Sequence, residues 1–85
     1  MPRNREFDYA GTIAVFHVGN NETRMKIAQD NATSKELWMT NTNRGFDSKF
    51  ALALAAAASG ETIYVKVDDP NSKRPQVVYM YTLPN

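Results

Sequence analysis

Residues 50–58 are all apolar and mostly alanine, whereas the rest of the chain is patterned as short β-strands. Alanine and leucine are the strongest helix formers, so this segment predicts a helix over Lys49–Ser59. Asp47 or Ser48 can cap its first turn, and Gly60 stands where a left-handed residue ends a helix. With one helix in 85 residues, most of the core must come from strands.

Five other segments alternate apolar and polar residues or are rich in β-branched and aromatic ones, as half-buried strands are. In the second of them, Met25 and Ile27 share one face while Arg24 and Lys26 share the other. The five predicted strands are Thr12–Val18, Thr23–Ala28, Glu36–Thr40, Thr62–Val67 and Gln76–Leu83.

Three strands, a helix and two more strands follow one another in the order of the OB-fold. We therefore predict an all-β fold with one helix (β+α), a five-stranded OB-fold-like Greek-key barrel with the helix between strands 3 and 4. A barrel also avoids leaving two bare sheet edges. Eighty-five residues predict a single domain over residues 1–85, and residues 1–10 are expected to be a loosely ordered N-terminal arm.

Composition excludes several kinds of site. The chain has no cysteine, which excludes disulfides, thiolate metal sites and a cysteine nucleophile. Its single histidine, His17, lies in a predicted strand without a motif that places a nucleophile beside it, and one imidazole does not make a nitrogen-ligated metal site. Residues 68–71 offer carboxylates but lack the spacing of a calcium loop, so they predict a hairpin turn. We expect no metal, no cofactor and no enzymatic activity.

Targeting signals are absent from the sequence as given. The longest apolar run, residues 50–58, is about half of the roughly 20 residues that a bilayer requires, so no membrane span is expected. No apolar segment follows the basic start, so no signal peptide is expected. These patterns predict a soluble protein that is cytoplasmic, or secreted if the chain is a mature form.

The predicted helix is apolar on every side, whereas an ordinary surface helix has one polar face. Phe50, Leu54, Ala57 and Ala58 form the stripe expected to face the barrel. The remaining sides are small and apolar, which favours packing against further copies of the chain, unless alanine serves there only as a helix former that tolerates water. The candidate interface residues are Phe50, Leu52, Ala55, Ala56 and Ser59.

The second half of the chain also has a recognisable pattern. A Leu-Ala helix ends in Ala58-Ser59-Gly60, a strand and a loop follow, and the last strand contains Tyr79-Met80-Tyr81. Over residues 43–83 this resembles the pentameric B subunits of bacterial A-B toxins, including the subtilase-cytotoxin type. The resemblance implies an OB-fold ring whose helices line a central pore and whose barrels bind cell-surface glycans.

The chain departs from that family in three ways, one of which is the missing export signal. Family members often carry cysteines in these segments, so this chain would be a cysteine-free relative, for example one from a mobile element. No glycan-binding motif of the family matches residue by residue. The resemblance therefore implies a fold and an assembly but not a sugar site.

Aromatic residues provide the candidate ligand contacts. A sugar stacks on an aromatic ring while amides and guanidinium groups bond its hydroxyls, and Trp38 with Asn41, Asn43 and Arg44 is the best local set. Single-stranded nucleic acid would use aromatic platforms and cations. Those platforms would be Trp38, Tyr64, Tyr79 and Tyr81, with Arg24, Lys26, Arg44 and Lys66 contacting phosphates.

Charge separates these alternatives. Ten basic and nine acidic side chains leave a net charge of +1, and tight single-strand binding draws most of its affinity from phosphate neutralisation. The same aromatic rings are also typical of subunit interfaces. The sequence thus favours a non-catalytic binding or scaffolding module that self-assembles into a ring, expected to be a pentamer, with a glycan or a protein as ligand. The alternatives are a single-stranded nucleic-acid-binding OB-fold and a structural oligomer.

Overall fold

The computed structural model describes residues 7–40 and 45–83. Five strands and one helix follow each other in the predicted order, with the helix between the third and fourth strands. The prediction of an all-β fold with one helix is therefore confirmed. The elements are β1 (Tyr9–Val18), β2 (Glu22–Ala28), β3 (Leu37–Thr40), α1 (Phe46–Ser59), β4 (Ile63–Val67) and β5 (Val77–Tyr81).

The strands form one sheet in the order β3-β2-β1-β4-β5, with antiparallel neighbours, so β3 and β5 are its edges. The two edges meet where Trp38 and Gln76 form an isolated parallel bridge, and the Trp38 N–H donates to the Pro75 carbonyl at 2.9 Å. No longer ladder joins β3 to β5 within the described residues. The predicted barrel is therefore not closed: the sheet curls until its edges touch at one place.

β1 belongs to both halves of the sheet. Tyr9 to Gly11 pair with β4, whereas Thr12 to Val18 pair with β2. Gly11 stands at the change of partner with φ 159°, and a Cβ there would lie 2.0 Å from the Ala28 carbonyl oxygen. Only glycine fits this close approach of two backbones.

The N-terminal prediction is partly corrected by β1. The strand begins at Tyr9 rather than at Thr12, and the Asp8 N–H donates to the Val65 carbonyl at 2.7 Å. Residues 8–10 are therefore held against β4 and are not a loose arm. Residues 1–6 of the predicted arm lie outside the described residues.

The core lies inside the curl of the sheet, and the alternation in the sequence identifies much of it. Met25 and Ile27 of β2 are fully buried, as are the three inward residues Ile63, Val65 and Val67 of β4. α1 packs against the core, mainly through β1. The other buried apolar residues are Leu37, Met39, Ala53, Ala56, Val77 and Met80.

The ends of α1 agree only partly with the prediction. Gly60 is left-handed, with φ 76°, and its N–H donates to the Ala56 carbonyl, as predicted for the C-terminal end. The N-terminal end is different, because the helix begins at Phe46 after a left-handed Gly45, and no side chain caps it. Asp47 lies in the first turn, where its negative charge favours the helix dipole, but it is not the cap.

The face of α1 that meets the core is not the predicted stripe. Ala53 and Ala56 are fully buried, whereas Leu54 is 51% exposed. The two small side chains let the helix backbone approach the core closely, and the leucine expected inside is directed outward. No helix of the described residues is long and apolar enough to cross a bilayer.

Candidate functional site

Four aromatic rings form a continuous row along the outer face of β4 and β5. Tyr64 and Tyr81 are opposite each other in the ladder, and their rings stack 5.1 Å apart at an angle of 12°. Phe7 meets Tyr64 edge-on at 5.2 Å, and Tyr79 lies 6.3 Å from Tyr81. We call these four residues the tyrosine row, after its three tyrosines; its members are Phe7, Tyr64, Tyr79 and Tyr81. Such clusters combine a large apolar area with hydroxyl groups that bond a ligand.

Lys66 lies beside the tyrosine row, across the ladder from Tyr79. Its ammonium is 3.7 Å from Asp8 Oδ2, and the same carboxylate oxygen accepts the Val67 N–H at 2.9 Å. The cation next to the rings is therefore paired within the chain. The structure brings together four of the predicted ligand residues here: Tyr64, Lys66, Tyr79 and Tyr81.

Trp38 belongs to a different cluster, on β2 and β3. The Arg74 guanidinium carbon lies 4.0 Å from the centre of the Trp38 ring and that of Arg24 lies 5.1 Å from it, so two cations contact the ring. Each arginine also faces a carboxylate, with Arg24 3.6 Å from Glu36 and Arg74 3.4 Å from Glu22. The ring that was predicted to be a sugar or base platform is thus already engaged by side chains of the same chain.

Two donors in this cluster lack a hydrogen-bond partner among the described residues. They are Trp38 Nε1 and Arg24 Nε, and both atoms are shielded from solvent. An unsatisfied buried donor costs about 1 to 3 kcal/mol. A ligand cannot reach either atom unless the cluster rearranges, so we do not place a binding site on them.

The predicted companions of Trp38 cannot be compared with this cluster. Asn41, Asn43 and Arg44 lie outside the described residues. The guanidinium groups that do contact the ring, Arg24 and Arg74, come from β2 and from the segment before β5. Arg74 was missed because it is remote from Trp38 in sequence and stands in a polar loop that has no binding motif.

A third feature is a groove of about 680 Å³ between α1 and β5. Lys49 reaches across it from the helix, and its ammonium donates to the carbonyls of Val77 at 3.1 Å and Val78 at 3.3 Å. Partial burial lowers the pKa of Lys49 from its ordinary value of 10.5, because the charged form loses hydration. Sequence reasoning placed no function on this lysine, which looked like the polar start of a helix.

The predicted interface residues of α1 divide into two sets. Ala55 and Ser59 are exposed, as a contact with another chain requires. Ala56 is fully buried in the chain's own core, so it is removed from the interface set, and Leu52 is half-buried and packs against that core. Phe50 is half-buried and lies between Phe16 at 5.7 Å and Phe46 at 5.8 Å.

The outward side of α1 carries a stripe that the prediction placed differently. Ala51, Leu54, Ala55 and Ala58 recur at helical spacing, and all four are exposed. Leu54 is the largest of them. We call these four residues the apolar stripe of α1.

The acidic loop before β5 organises its own backbone. Asp68 Oδ1 accepts the N–H groups of Asp69 at 2.7 Å and Gln76 at 2.9 Å, and Asp69 Oδ1 accepts the Asn71 N–H at 3.0 Å. These bonds are those of tight turns. Across residues 7–40 and 45–83, no group of three or more histidine, aspartate or glutamate side chains is placed to hold a metal ion.

The chain was compared with protein families, curated proteins and solved structures, and none of them matches it.

Proposed function

We propose that this chain is a non-catalytic binding module that works as a homo-oligomer, with α1 between the protomers and the tyrosine row as the ligand surface. The observation that carries the proposal is the apolar stripe of α1. Leu54 is 51% exposed at its centre, and no residue from 50 to 58 is polar. Covering such a surface removes apolar area from water, which stabilises an assembly. The resemblance to toxin B subunits implies that the assembly is a ring of five protomers.

A glycan or a protein is the ligand that suits the tyrosine row. Tyr64 and Tyr81 stack on each other, which fixes the rings before a ligand arrives and reduces the entropy lost on binding. The structure favours single-stranded nucleic acid less, because Lys66, Arg24 and Arg74 each face a carboxylate of the chain. Those carboxylates oppose the phosphate contacts that give most of the affinity for a single strand.

Sedimentation velocity tests the assembly. We expect wild type at micromolar concentration to sediment as a multiple of 9.6 kDa. Leu54→Glu should sediment as a monomer, because it puts a charge into the proposed contact. Val15→Glu is the matched control, since Val15 is 46% exposed but lies on β1, and it should leave the assembly intact. A wild-type monomer at 9.6 kDa would contradict the oligomer.

A glycan array and an oligonucleotide titration across salt concentrations test the ligand. We expect glycan binding by wild type and a loss of about tenfold or more in Tyr81→Ala, which removes one of the two central rings of the row. Val18→Ala, at an exposed site on β1, is the control and should bind as wild type does. Strongly salt-dependent oligonucleotide binding without glycan binding would favour the nucleic-acid alternative instead.

A further inference from the structure

Two hydrogen-bond donors beside the Trp38 ring are shielded from solvent and unpaired among the described residues, namely Trp38 Nε1 and Arg24 Nε. Nearly all buried polar groups in folded proteins have a partner, so an unpaired donor requires a physical reason. The two residues are directly opposite each other in the β2–β3 ladder, with the Arg24 guanidinium carbon 5.1 Å from the centre of the Trp38 ring. Both unpaired donors therefore belong to one cross-strand pair.

The charges around this pair are already balanced within the chain. Arg24 lies 3.6 Å from Glu36, and Arg74 lies 3.4 Å from Glu22. The two carboxylates would repel a further anion, whereas they do not repel a neutral group. What the pair lacks is an acceptor atom, and one carbonyl oxygen has two lone pairs with which to accept from both donors. The partner that fits is therefore a neutral carbonyl group.

A ligand reaches these donors only if the cluster opens, and Arg74 is the member that can move. Its side chain is 62% exposed, whereas that of Arg24 is 28% exposed. Its hydrogen bond to Glu22, at 3.4 Å, is longer than the roughly 2.8 Å typical of charged pairs. Exposed ion pairs of this kind contribute little to stability. The Arg74 guanidinium, 4.0 Å from the centre of the Trp38 ring, is therefore held in place by weak contacts.

We infer that Arg74 is a movable cover over a carbonyl-binding site, in which Trp38 Nε1 and Arg24 Nε donate to the amide carbonyl of a neutral ligand. When Arg74 moves away, the uncovered ring packs against the apolar part of the ligand. The ligand pairs two buried donors at the cost of weak contacts of one exposed side chain, so it favours the open arrangement. The inference goes beyond the proposed function, because it uses neither the apolar stripe of α1 nor the tyrosine row.

Proton–nitrogen NMR on the full chain tests this inference, because Trp38 is the only tryptophan and gives a single indole N–H resonance. The probes are N-acetylglucosamine and glucose, which differ by one acetamido group, and N-acetylglycine N-methylamide, which carries its amides on a peptide. We expect Trp38 Nε1–H and Arg24 Nε–H to shift downfield and saturate with an amide probe, while glucose leaves both unchanged. The stronger of the two amide probes identifies a sugar or a peptide as the carrier.

Acetate tests whether the ligand is neutral. At equal ionic strength, acetate should bind about tenfold more weakly than the better amide probe, because Glu22 and Glu36 repel it. Sodium chloride at the same concentration is the control for the salt itself and should shift neither N–H resonance.

Three substitutions test the parts assigned to single residues. Arg74→Ala removes the cover and should lower the half-saturating probe concentration about threefold, because the closed arrangement no longer competes. Lys73→Ala removes the same charge from an exposed neighbour and should leave binding unchanged. Trp38→Phe keeps an aromatic ring without the indole donor and should weaken binding, followed at Arg24 Nε–H, about tenfold. The full spectrum of each variant establishes that it is folded, and the wild-type titration tests the donors without any variant.

Several results would overturn the inference. Absence of a saturable shift at both N–H groups, equal shifts with glucose and N-acetylglucosamine, or tighter binding of acetate would each do so. Weaker or unchanged binding in Arg74→Ala would show that Arg74 is not a cover. Tyr81→Ala separates this inference from the proposed function, since it removes a ring of the tyrosine row and should leave the Trp38 shift as it is. Loss of that shift in Tyr81→Ala would mean that the amide binds at the tyrosine row instead.

Discussion

The Arg74 guanidinium lies 4.0 Å from the centre of the Trp38 ring, next to the bridge that joins the two edges of the sheet. Arg74 precedes β5 and Trp38 belongs to β3. The contact therefore reinforces the bridge between β3 and the start of β5. We expect the contact to affect both the free energy of unfolding and the fluorescence spectrum of the single tryptophan.

Arg74→Ala should lower the free energy of unfolding by about 0.5 to 1 kcal/mol, the range of an exposed cation–π contact. It should also shift Trp38 fluorescence to longer wavelength, because the uncovered ring meets more water. Urea titration followed by tryptophan emission measures both effects. Lys73→Ala changes an exposed neighbour and should alter neither. Equal effects of the two substitutions would show that Arg74 does not support the ring.

Ala56→Leu should destabilise the fold by about 1 to 3 kcal/mol, because Ala56 is fully buried and the core has no room for a larger side chain. Both substitutions are made in the Leu54→Glu background, so that assembly through the apolar stripe does not contribute. There Ala55→Leu, one position away on the exposed side, should change stability by less than about 0.5 kcal/mol. Chemical denaturation of the two variants compares them directly. The reverse order would mean that the helix presents a different face to the core.

Tyr9 should make stability depend on pH at the alkaline end. Burial, and then the negative charge of Asp8, raise the pKa of the Tyr9 hydroxyl above its ordinary value of 10.0. Above pH 10.0 the unfolded chain loses this proton before the folded chain does, so the contribution to stability is lost as pH rises. Urea titrations below and above pH 10 should show a larger loss for wild type than for Tyr9→Phe. The same loss in both would contradict the shift.

Much of the sheet could be predicted because its alternation is local. Met25 and Ile27 are separated by one polar residue, and a period of two fixes which of them face the core. The same reasoning placed Ile63 and Val65 inside correctly. In a strand with one buried face, consecutive residues alternate between apolar and polar, so the sequence alone shows which face is buried.

The orientation of α1 could not be obtained in this way. When every residue from 50 to 58 is apolar, no polar face indicates which side is outside. The predicted stripe toward the barrel contained Leu54, whereas the structure buries Ala53 and Ala56 and leaves Leu54 exposed. Shape complementarity with the sheet decided the outcome, and the sequence contains no local signal of it.

The contacts of Trp38 were also beyond prediction from the sequence. Local spacing placed Arg44 beside Trp38 as a ligand contact and predicted no cation on the ring itself, whereas Arg74 approaches the ring from the other edge of the sheet. Pairings between remote segments depend on how the sheet curls. That curl is a property of the whole fold and not of a motif.

Gly11→Ala should lower the free energy of unfolding by about 2 to 3 kcal/mol, since both the backbone angle and the overlap with the Ala28 carbonyl oppose a side chain. Gly60→Ala is the matched control. Gly60 also has a positive φ, but a Cβ there meets nothing within 4 Å, so the expected loss is about 1 kcal/mol. Thermal melts of both variants give the comparison, and equal losses would show that the overlap relaxes freely.

The change of partner at Gly11 also implies a sequence of events in time. Only a short turn separates β1 from β2 in the sequence, whereas more than half of the chain lies between the paired residues of β1 and β4. Closing the longer loop costs more chain entropy, so we expect the β1–β2 hairpin to form early and the β1–β4 ladder late. Gly11 then divides the part of the protein that nucleates folding from the part that completes it.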